Sequence, residues 1–443
     1  MRWHHEIAAR VVAQGGAANM EPFRFVQAGD FHLEQCIHGL EEAPENLRDM
    51  MIDAPFIAAR RVFETAIAEK ADFVVLTGDI LHPQQAGPRA MAFLIEQFEL
   101  LQSEDIAVYW AGGRVDSPER WPDAIRLPSN VHWFPANRLE FFAPTAKGIS
   151  LCHLLGSSLD GNRSIRTADY ETDEGKFTIA VAPGRMEADG LVRPGIHYWC
   201  LGGESKRRVV ATAPVPAHQS GSPQGRSPND TGPHGCLVVH VSDEAKLRVH
   251  FHPTDVIRFH TETLLMPIDA TRVELHQAIR DKTAALKVEN EERKLFVTWK
   301  IEAPGSLGYE LRHSNLSAEL MGEMRDDFGR KGAGAWTVGV DCENNEDLPK
   351  ACYEEDTILG DFLRTTRRYE NDESEDLALS SQVVEGDWSL TARELVAIGD
   401  DASRKQILRE AAILGIDLLA GESGLKQFID RHDAEAADKE GDE

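Results

Sequence analysis

A carboxylate and an imidazole lie two residues apart in the pattern Asp30-Phe31-His32, and a second carboxylate, Asp79, follows a glycine further along the chain. Two carboxylates and one imidazole are ligands that suit a divalent ion such as manganese, iron or zinc. The bland alternative is that Asp30 and Asp79 only stabilise the turns in which they lie, because Gly-Asp pairs are common in turns. The residue types and spacing leave both interpretations open.

These polar residues follow short apolar segments that are typical of buried β-strands. The three segments and the turns that end them are Phe23–Ala28 before Gly29-Asp30, Asp72–Thr77 before Gly78-Asp79, and Ile106–Trp110 before Gly112-Gly113. Between the strands, residues 56–70 and 88–102 have the apolar spacing of helices. This β-α-β-α-β order predicts a layered α/β domain, in which ligands bind beyond the carboxyl ends of the strands.

The chain then divides into segments of different character. We expect a disordered extension over residues 1–19, with Met20 as the true start, a first domain over 20–260, a smaller α+β domain over 261–370, an acidic linker over 371–388, a helical segment over 389–425 and an acidic disordered tail over 426–443. Within the first domain, residues 214–234 are rich in proline, glycine and serine and are predicted to form a long loop.

Composition excludes several classes of protein. The 443 residues include 47 basic and 74 acidic side chains, a formal net charge of −27. Bulk attraction therefore cannot hold nucleic acid, and such binding would need a local basic patch or a metal. No apolar run approaches the ~20 residues that span a bilayer. The six cysteines form no Cys-x-x-Cys pair, which argues against a disulfide scaffold and favours a cytoplasmic setting.

Two groups of motifs resemble a known family. Residues 29–33 (GDFHL) and 76–81 (LTGDIL) are similar to the first two motifs of the calcineurin-like metallophosphoesterases. Residues 220–241, with their Pro-Gln-Gly-Arg segment, resemble more specifically the SbcD-type and YhaO-type nuclease subunits of DNA repair, and residues 250–260 resemble the exit of that nuclease domain. The resemblance covers residues 22–260 well, and 260–370 only as a plausible capping domain.

The resemblance implies a fold, an ancestry and partners. The fold would be α/β, a layered metallophosphoesterase-type β-sandwich flanked by helices, with a smaller α+β capping domain and a helical C-terminal tail. The ancestry would be that of a two-metal phosphodiesterase. The implied partners are an SbcC-like, SMC-type ATPase, DNA ends and a second copy of the chain, with no membrane.

Several motif positions of the family are occupied by other residue types in this chain. The aligned positions are Gly113 in place of an asparagine, Arg114 in place of the histidine that assists the leaving group, Pro183 in place of a histidine, and Gly203 and Ser205 in place of two more histidines. One ion would keep Asp30, His32 and Asp79, whereas the other would keep only Asp79. We therefore expect one weakly held divalent ion (manganese, iron or zinc) and no competent second metal.

These considerations predict a degenerate nuclease that serves as a scaffold for DNA ends or for the ATPase. The alternative is an active phosphodiesterase or exonuclease that uses one metal or a rearranged site, with Asp30, His32 and Asp79 as its catalytic residues. Arg114, next to the vacated second metal, is a candidate for binding phosphate, and the alternative is a surface arginine that points into water. The resemblance alone assigns Arg226 to phosphate binding.

The C-terminal helical segment carries one apolar stripe. It consists of Ile407, Ala411, Leu414 and Leu418. We expect this stripe to contact the ATPase partner, and the alternative is that it packs on the capping domain of the same chain.

Overall fold

A computed structural model describes residues 7–9, 20–40, 43–136, 138–159, 166–172, 175–267, 270–290, 292–303, 305–330, 334–343, 353, 356–371 and 401–420. The chain forms two compact units. Unit one consists of Met1–Thr261, Leu286–Thr298 and Phe328–Val338, and unit two of Glu262–Ala285, Trp299–Asp327 and Gly339–Glu443. None of the helices in the described residues is both long enough and apolar enough to cross a membrane.

The strands of unit one form two main sheets. The strands of the first sheet, in sheet order, are β1 (Ile7–Ala9), β15 (Leu247–Pro253), β14 (Gly235–Val241), β2 (Phe23–Ala28), β3 (Phe73–Leu76), β4 (Ala107–Trp110) and β5 (Val131–Trp133). Those of the second sheet are β12 (Arg208–Ala211), β13 (Ala217–Gln219), β11 (Ile196–Leu201), β10 (Thr178–Ala182), β9 (His153–Gly156) and β6 (Glu140–Phe142). A separate hairpin pairs β7 (Thr145–Ala146) with β8 (Ile149–Ser150).

The two sheets pack face to face around an aromatic core. Phe25 and Phe73, on adjacent strands of the first sheet, stack with ring centroids 5.1 Å apart. Tyr198 of the second sheet meets Phe25 edge to face at 5.9 Å. All three side chains are fully buried, and such pairs contribute about 0.5–1.5 kcal/mol beyond their buried area. This interface makes the expected β-sandwich.

Helices α1 (Glu45–Ala68) and α2 (Pro88–Ser103) cover the outer face of the first sheet. Val62 and Phe63 of α1 and Phe98 of α2 are buried against that face. Helix α1 begins eleven residues before the start expected from periodicity and contains Pro55. Its first turns persist because Leu47, Met51 and Ala54 pack in a core cluster with Phe259, which offsets the hydrogen bond that proline removes.

Residues 7–9 form strand β1, which pairs antiparallel with β15 through Ile7 and Val249. This short segment of the expected extension over residues 1–19 is thus a strand in the structure, because an apolar tripeptide next to a sheet edge gains ladder hydrogen bonds. The other residues of that extension, the acidic linker after residue 371, the first part of the helical segment and the acidic tail lie outside the described residues.

Strands β16 (Ile257–Leu265), β17 (Lys294–Glu302) and β18 (Ala335–Glu343) form a three-stranded sheet. Residues 286–298 and 328–338 belong to unit one, so the expected capping domain over 261–370 does not correspond to a single unit. The reason is that Phe296 and Trp336 share a buried cluster with Ile257 and Phe259.

Unit two contains helices and the remaining strand residues. The helices with described bounds are α3 (Arg272–Glu289, whose last residues belong to unit one), α4 (Gly305–His313), α5 (Leu316–Met324), α6 (Ile358–Asn371) and α7 (Asp401–Ala420). Helix α7 packs on α6 at Gly415, where an added Cβ would lie 2.0 Å from Phe362. The predicted stripe lies elsewhere on α7, since Ile407, Leu414 and Leu418 are 40, 54 and 74% exposed.

Candidate metal centre

The two predicted carboxylates follow adjacent parallel strands, β2 and β3, which pair through Ala28 and Leu76. Backbone hydrogen bonds then join the two loops: Asp30 N donates to Gly78 O at 2.9 Å, and His32 N donates to Asp79 O at 3.0 Å. Asp30 and Asp79 are therefore positioned by the backbone, as expected for polar residues at the carboxyl edge of a sheet.

All three predicted ligands have left-handed backbone conformations. The φ angles of Asp30, His32 and Asp79 are 56°, 46° and 55°. Such conformations are uncommon for residues with a side chain, and each costs of order 1–3 kcal/mol. Their occurrence at three neighbouring positions indicates that the surrounding structure holds these side chains toward one point.

Asp30, His32 and Asp79 form a compact ligand group, in which one donor atom from each lies within 4.8 Å of the others. The Nε2 atom of His32 is 3.4 Å from Oδ1 of Asp30. Asp30 and Asp79 are 6 and 5% exposed. The structure therefore brings together the three residues that the sequence analysis selected, and it identifies no second group of three or more such side chains among the described residues.

Glu34 orients the imidazole of His32. Its carboxylate lies 2.8 Å from Nδ1 of His32, is 2% exposed, and accepts a hydrogen bond from the backbone N–H of His82 at 3.0 Å. A carboxylate on one ring nitrogen turns the other nitrogen toward a metal and raises its basicity. Glu34 was not among the residues predicted from the sequence, although the alternation Asp30, His32, Glu34 was a signal for it.

Asp116 holds the loop that carries Asp79. Its carboxylate is fully buried and accepts hydrogen bonds from the backbone N–H groups of Asp79 (2.9 Å), Ile80 (3.0 Å) and Gly113 (2.6 Å) and from the indole of Trp110 (2.9 Å). It does not belong to the ligand group and acts as a positioning residue. Asp116 was not predicted as a site residue from the sequence, although it is the aspartate that ends the segment beginning at Gly112.

Arg226, 196 residues away in the chain, contacts the first ligand. Its Nη2 donates to Oδ2 of Asp30 at 2.9 Å, and its Nη1 donates to the backbone oxygen of Asp30 at 2.9 Å. The Arg226 and Asp30 side chains are 12 and 8% exposed. The guanidinium is thus part of the centre, and its expected role in phosphate binding remains a prediction.

The electrostatics of the centre favour a cation. Burial works to raise the pKa of Asp30, but the hydrogen bond from His32 and the Arg226 guanidinium outweigh it and hold that pKa below its usual value. For Asp79, burial outweighs the backbone hydrogen bond from Val115 and the charge of His32, and its pKa is raised. Burial works to lower the pKa of His32, whereas Asp30 and Glu34 raise it to about 9. A bound divalent ion would stabilise the Asp79 carboxylate and replace a proton on His32.

The positions aligned with missing ligands lie beside this group. A Cβ built on Gly78 would be 2.6 Å from Gly113 N and 2.9 Å from Pro183 Cβ, and one on Gly203 would be 3.2 Å from Pro183 O. Gly113, Pro183 and Gly203 offer no side-chain donor for a metal. These positions therefore lie close together in the structure, and their proposed correspondence to the family's ligands stays a prediction.

Ser205 and Arg114 have other surroundings. The hydroxyl of Ser205 donates to Asp230 at 3.1 Å, so this side chain supports a neighbouring loop. Arg114 is exposed, its carbonyl accepts a hydrogen bond from Arg120 at 3.0 Å, and its guanidinium forms no hydrogen bond or ion pair with the described part of the chain. Both alternatives for Arg114, phosphate binding and a solvated surface side chain, therefore remain.

The residues fit one divalent ion. Asp30 and Asp79 supply oxygens, His32 supplies a ring nitrogen, and Glu34 and Asp116 orient the imidazole and the Asp79 loop. Manganese, iron and zinc accept such mixed ligands. When bound, such an ion would stabilise negative charge on a phosphoryl oxygen and increase the acidity of water.

The chain is similar to a curated protein over about half of its length. No family model matches the chain. A curated relative, the "uncharacterized metallophosphoesterase YhaO" of Bacillus subtilis, is 27% identical over 234 residues, which are 49% of this chain and 57% of the relative. Over these residues the chain is similar to that metallophosphoesterase. It spans just over half of the length of this metallophosphoesterase relative.

Among solved structures, a dimetal phosphatase from Danio rerio matches with a TM-score of 0.32 and 11% identity. The match covers 52% of this chain and all of the phosphatase. A likeness with so low a TM-score carries no argument about the fold or the activity of the chain.

Proposed function

We propose that this chain is a DNA-repair nuclease-type subunit that binds one divalent ion and a phosphoester, and that has little two-metal hydrolysis. One observation carries the proposal: among the described residues a single ligand group, Asp30, His32 and Asp79, is present. The positions beside it that would complete a second group are Gly113, Pro183 and Gly203. Losing one well-placed electrostatic stabiliser costs ~10²–10³ in rate, and here several are absent.

The experiment combines metal content with turnover. Purified full-length protein is loaded with manganese, iron or zinc, desalted and measured by plasma mass spectrometry, and the same sample is assayed on a nitrophenyl phosphodiester and on a linear DNA duplex. We expect at most one ion per chain, binding of DNA ends and negligible turnover. Asp79→Asn is expected to lose the ion. Two tightly held ions with manganese-dependent hydrolysis would refute the proposal.

The second candidate is an active phosphodiesterase or exonuclease that uses one metal. The organisation of the retained site favours it, because Glu34 bonds to His32 and Asp116 makes four hydrogen bonds around Asp79. The same assay separates the two candidates. Turnover with one ion per chain that disappears in Asp79→Asn would establish this second function.

We also propose an SbcC-like, SMC-type ATPase as the partner. The proposal is supported by the exposed apolar stripe on α7, where Leu414 and Leu418 are 54 and 74% exposed, while Leu408 is buried. Exposed apolar side chains grouped on a helix are typical of contact sites for another protein.

The partner proposal predicts opposite effects of charges on the two faces of α7. The double variant Leu414→Glu/Leu418→Glu is expected to abolish copurification with the SbcC-type ATPase of the same organism, without changing the melting temperature. Leu408→Glu, on the buried face, is expected to lower the melting temperature instead. Unchanged copurification of the double variant would exclude this stripe as the contact.

A further inference from the structure

Arg226 contacts the candidate metal centre although it is not one of the three candidate ligands. Its guanidinium makes two 2.9 Å hydrogen bonds to Asp30, one to carboxylate oxygen Oδ2 and one to the backbone oxygen. The other carboxylate oxygen of Asp30, Oδ1, faces Nε2 of His32 at 3.4 Å. One carboxylate oxygen of Asp30 thus binds the permanently charged guanidinium of Arg226, and the other faces the remaining candidate ligands.

The loop that carries Arg226 is built to hold it there. The backbone N–H of Arg226 donates to Oδ2 of Asp230 at 3.0 Å, and the carbonyl of Arg226 accepts a hydrogen bond from His38 N at 2.9 Å. Asp230 also accepts hydrogen bonds from Ser227 N and from the hydroxyl of Ser205. Because both its backbone N–H and its carbonyl are hydrogen-bonded, Arg226 is held in position before any ligand binds.

Asp79 meets protein atoms on the side where a second ion would need ligands. Its Oδ1 accepts a hydrogen bond from Val115 N at 3.1 Å. A Cβ on Gly113 would lie 2.5 Å from that same oxygen, so the backbone of this segment packs directly on the carboxylate. Neither Gly113 nor Pro183 offers a side-chain ligand there.

We propose that Arg226 takes the charge-neutralising role of a second metal ion, so that the centre works with one divalent ion and one guanidinium. This inference rests on the proposed function of the same site. Asp30, Asp79 and the Arg226 guanidinium together carry one net negative charge, and a divalent ion bound to this set gives one net positive charge. The remaining N–H donors of Arg226 then face a phosphate group, which guanidinium recognises well.

The inference predicts that loss of Arg226 strengthens metal binding and weakens phosphate binding. A positive charge a few Å away opposes a divalent ion, so Arg226→Met is expected to bind Mn²⁺ at least about tenfold more tightly. Inorganic phosphate is expected to bind the manganese-loaded variant about 10–100-fold more weakly, as charge-assisted hydrogen bonds are lost. A merely structural arginine would give the opposite result for the metal, because a loosened site binds it less well.

Titration calorimetry with Mn²⁺, and then with phosphate on the loaded protein, tests these expectations. Arg226→Lys keeps the charge and is expected to retain the wild-type affinity for Mn²⁺. Arg258→Met is the matched control, because Arg258 is also 12% exposed and bonds to a buried carboxylate, Asp255, which keeps Arg293 at 3.1 Å. This control is expected to change neither affinity, and circular dichroism checks that each variant is folded.

Two results would overturn the inference: two Mn²⁺ ions per wild-type chain, or a folded Arg226→Met that binds Mn²⁺ no more tightly than the wild type. A failure of the proposed function would give a different result from a failure of this inference. If the wild-type chain binds no Mn²⁺ but Arg226→Met does, the role of Arg226 stands and the proposed one-ion function of the natural chain falls.

Discussion

At the scale of single residues, the candidate ligands depend on side chains that are not ligands. Glu34 bonds to the imidazole of His32, Asp116 holds the backbone of Asp79, and Arg226 pairs with Asp30. Each of these contacts fixes an orientation or a charge that the ligand itself cannot determine. The three candidate ligands therefore form an organised group even though the neighbouring positions offer no side-chain ligand.

The contact between Glu34 and His32 makes a direct prediction. Glu34→Gln removes the negative charge behind the imidazole, so the affinity for Mn²⁺ is expected to fall about 10–100-fold, as for other carboxylates behind a metal-binding histidine. Calorimetric titration measures the change. The control is Glu99→Gln on the exposed side of α2, which is expected to leave the affinity unchanged. Equal affinities of all three proteins would show that Glu34 does not orient the ligand.

His218 makes a prediction about pH and stability. It is 4% exposed, stacks on Tyr198 with centroids 5.5 Å apart, and neither buried ring nitrogen has a hydrogen-bond partner among the described residues. Burial and the charge of Arg207 lower its pKa from 6.5 to about 4. Because the unfolded chain binds the proton more readily, its contribution to the free energy of unfolding is lost as pH falls from about 6.5 to 4.

At pH 5 this loss amounts to about 2 kcal/mol relative to pH 7 or above. His218→Phe keeps a ring against Tyr198 but cannot titrate, so its free energy of unfolding is expected to fall less between pH 7 and pH 5. Urea unfolding of both proteins at the two pH values measures the difference. A parallel decrease in wild type and variant would show that His218 is not the group responsible.

At the scale of elements, the centre is defined by loops that follow strands β2, β3 and β4. These strands are parallel and in register, so their carboxyl ends lie at one edge of the sheet. The loop after β4 approaches Asp79 more closely than a side chain would permit, since a Cβ on Gly113 would be 2.6 Å from Asp79 N. The glycine is therefore part of the geometry and not only a lost ligand.

It follows that an asparagine at position 113, the residue expected from the family, will not create a site for a second metal ion. Gly113→Asn is expected to push the Asp79 loop away and to weaken Mn²⁺ binding by at least about tenfold, because backbone atoms cannot yield cheaply. The control is Gly184→Ala, where an added Cβ has no atom within 4 Å. Metal analysis decides the matter, and a folded Gly113→Asn with two ions per chain would contradict this account.

At the scale of the whole molecule, unit one is built from segments that are far apart in the sequence. Residues 286–298 and 328–338 belong to unit one, although they follow it in sequence. Phe296 and Trp336 are 0 and 2% exposed in a cluster with Ile257 and Phe259. The fold of the unit that carries the metal centre thus requires segments far beyond residue 261.

This arrangement predicts how fragments behave. A fragment of residues 20–261 lacks Phe296 and Trp336, and loss of each large buried side chain costs about 3–5 kcal/mol. It is expected to melt at a much lower temperature than a fragment of residues 20–343, which retains both. Calorimetric scans of the two fragments provide the comparison. Equal melting temperatures would show that the first segment of unit one is sufficient for its stability.

The sequence by itself determined strand β2, helix α2 and the candidate ligands that follow strands β2 and β3. Strand β2 coincides with the predicted segment, α2 extends one residue beyond its predicted end, and Asp30, His32 and Asp79 meet as expected. These features depend on apolar periodicity and turn residues, which act over a few neighbouring positions. A local pattern is therefore sufficient to predict them.

Only the tertiary structure decided which charges and backbone atoms surround those ligands. Arg226 reaches Asp30 across 196 residues, Glu34 bonds to the backbone of His82 across 48, and Gly113 packs on Asp79. The packing of Phe296 and Trp336 against Ile257 and Phe259 is likewise a contact between distant segments. Such contacts arise when distant segments pack against each other, and no period or turn signal in one segment specifies the partner it will meet.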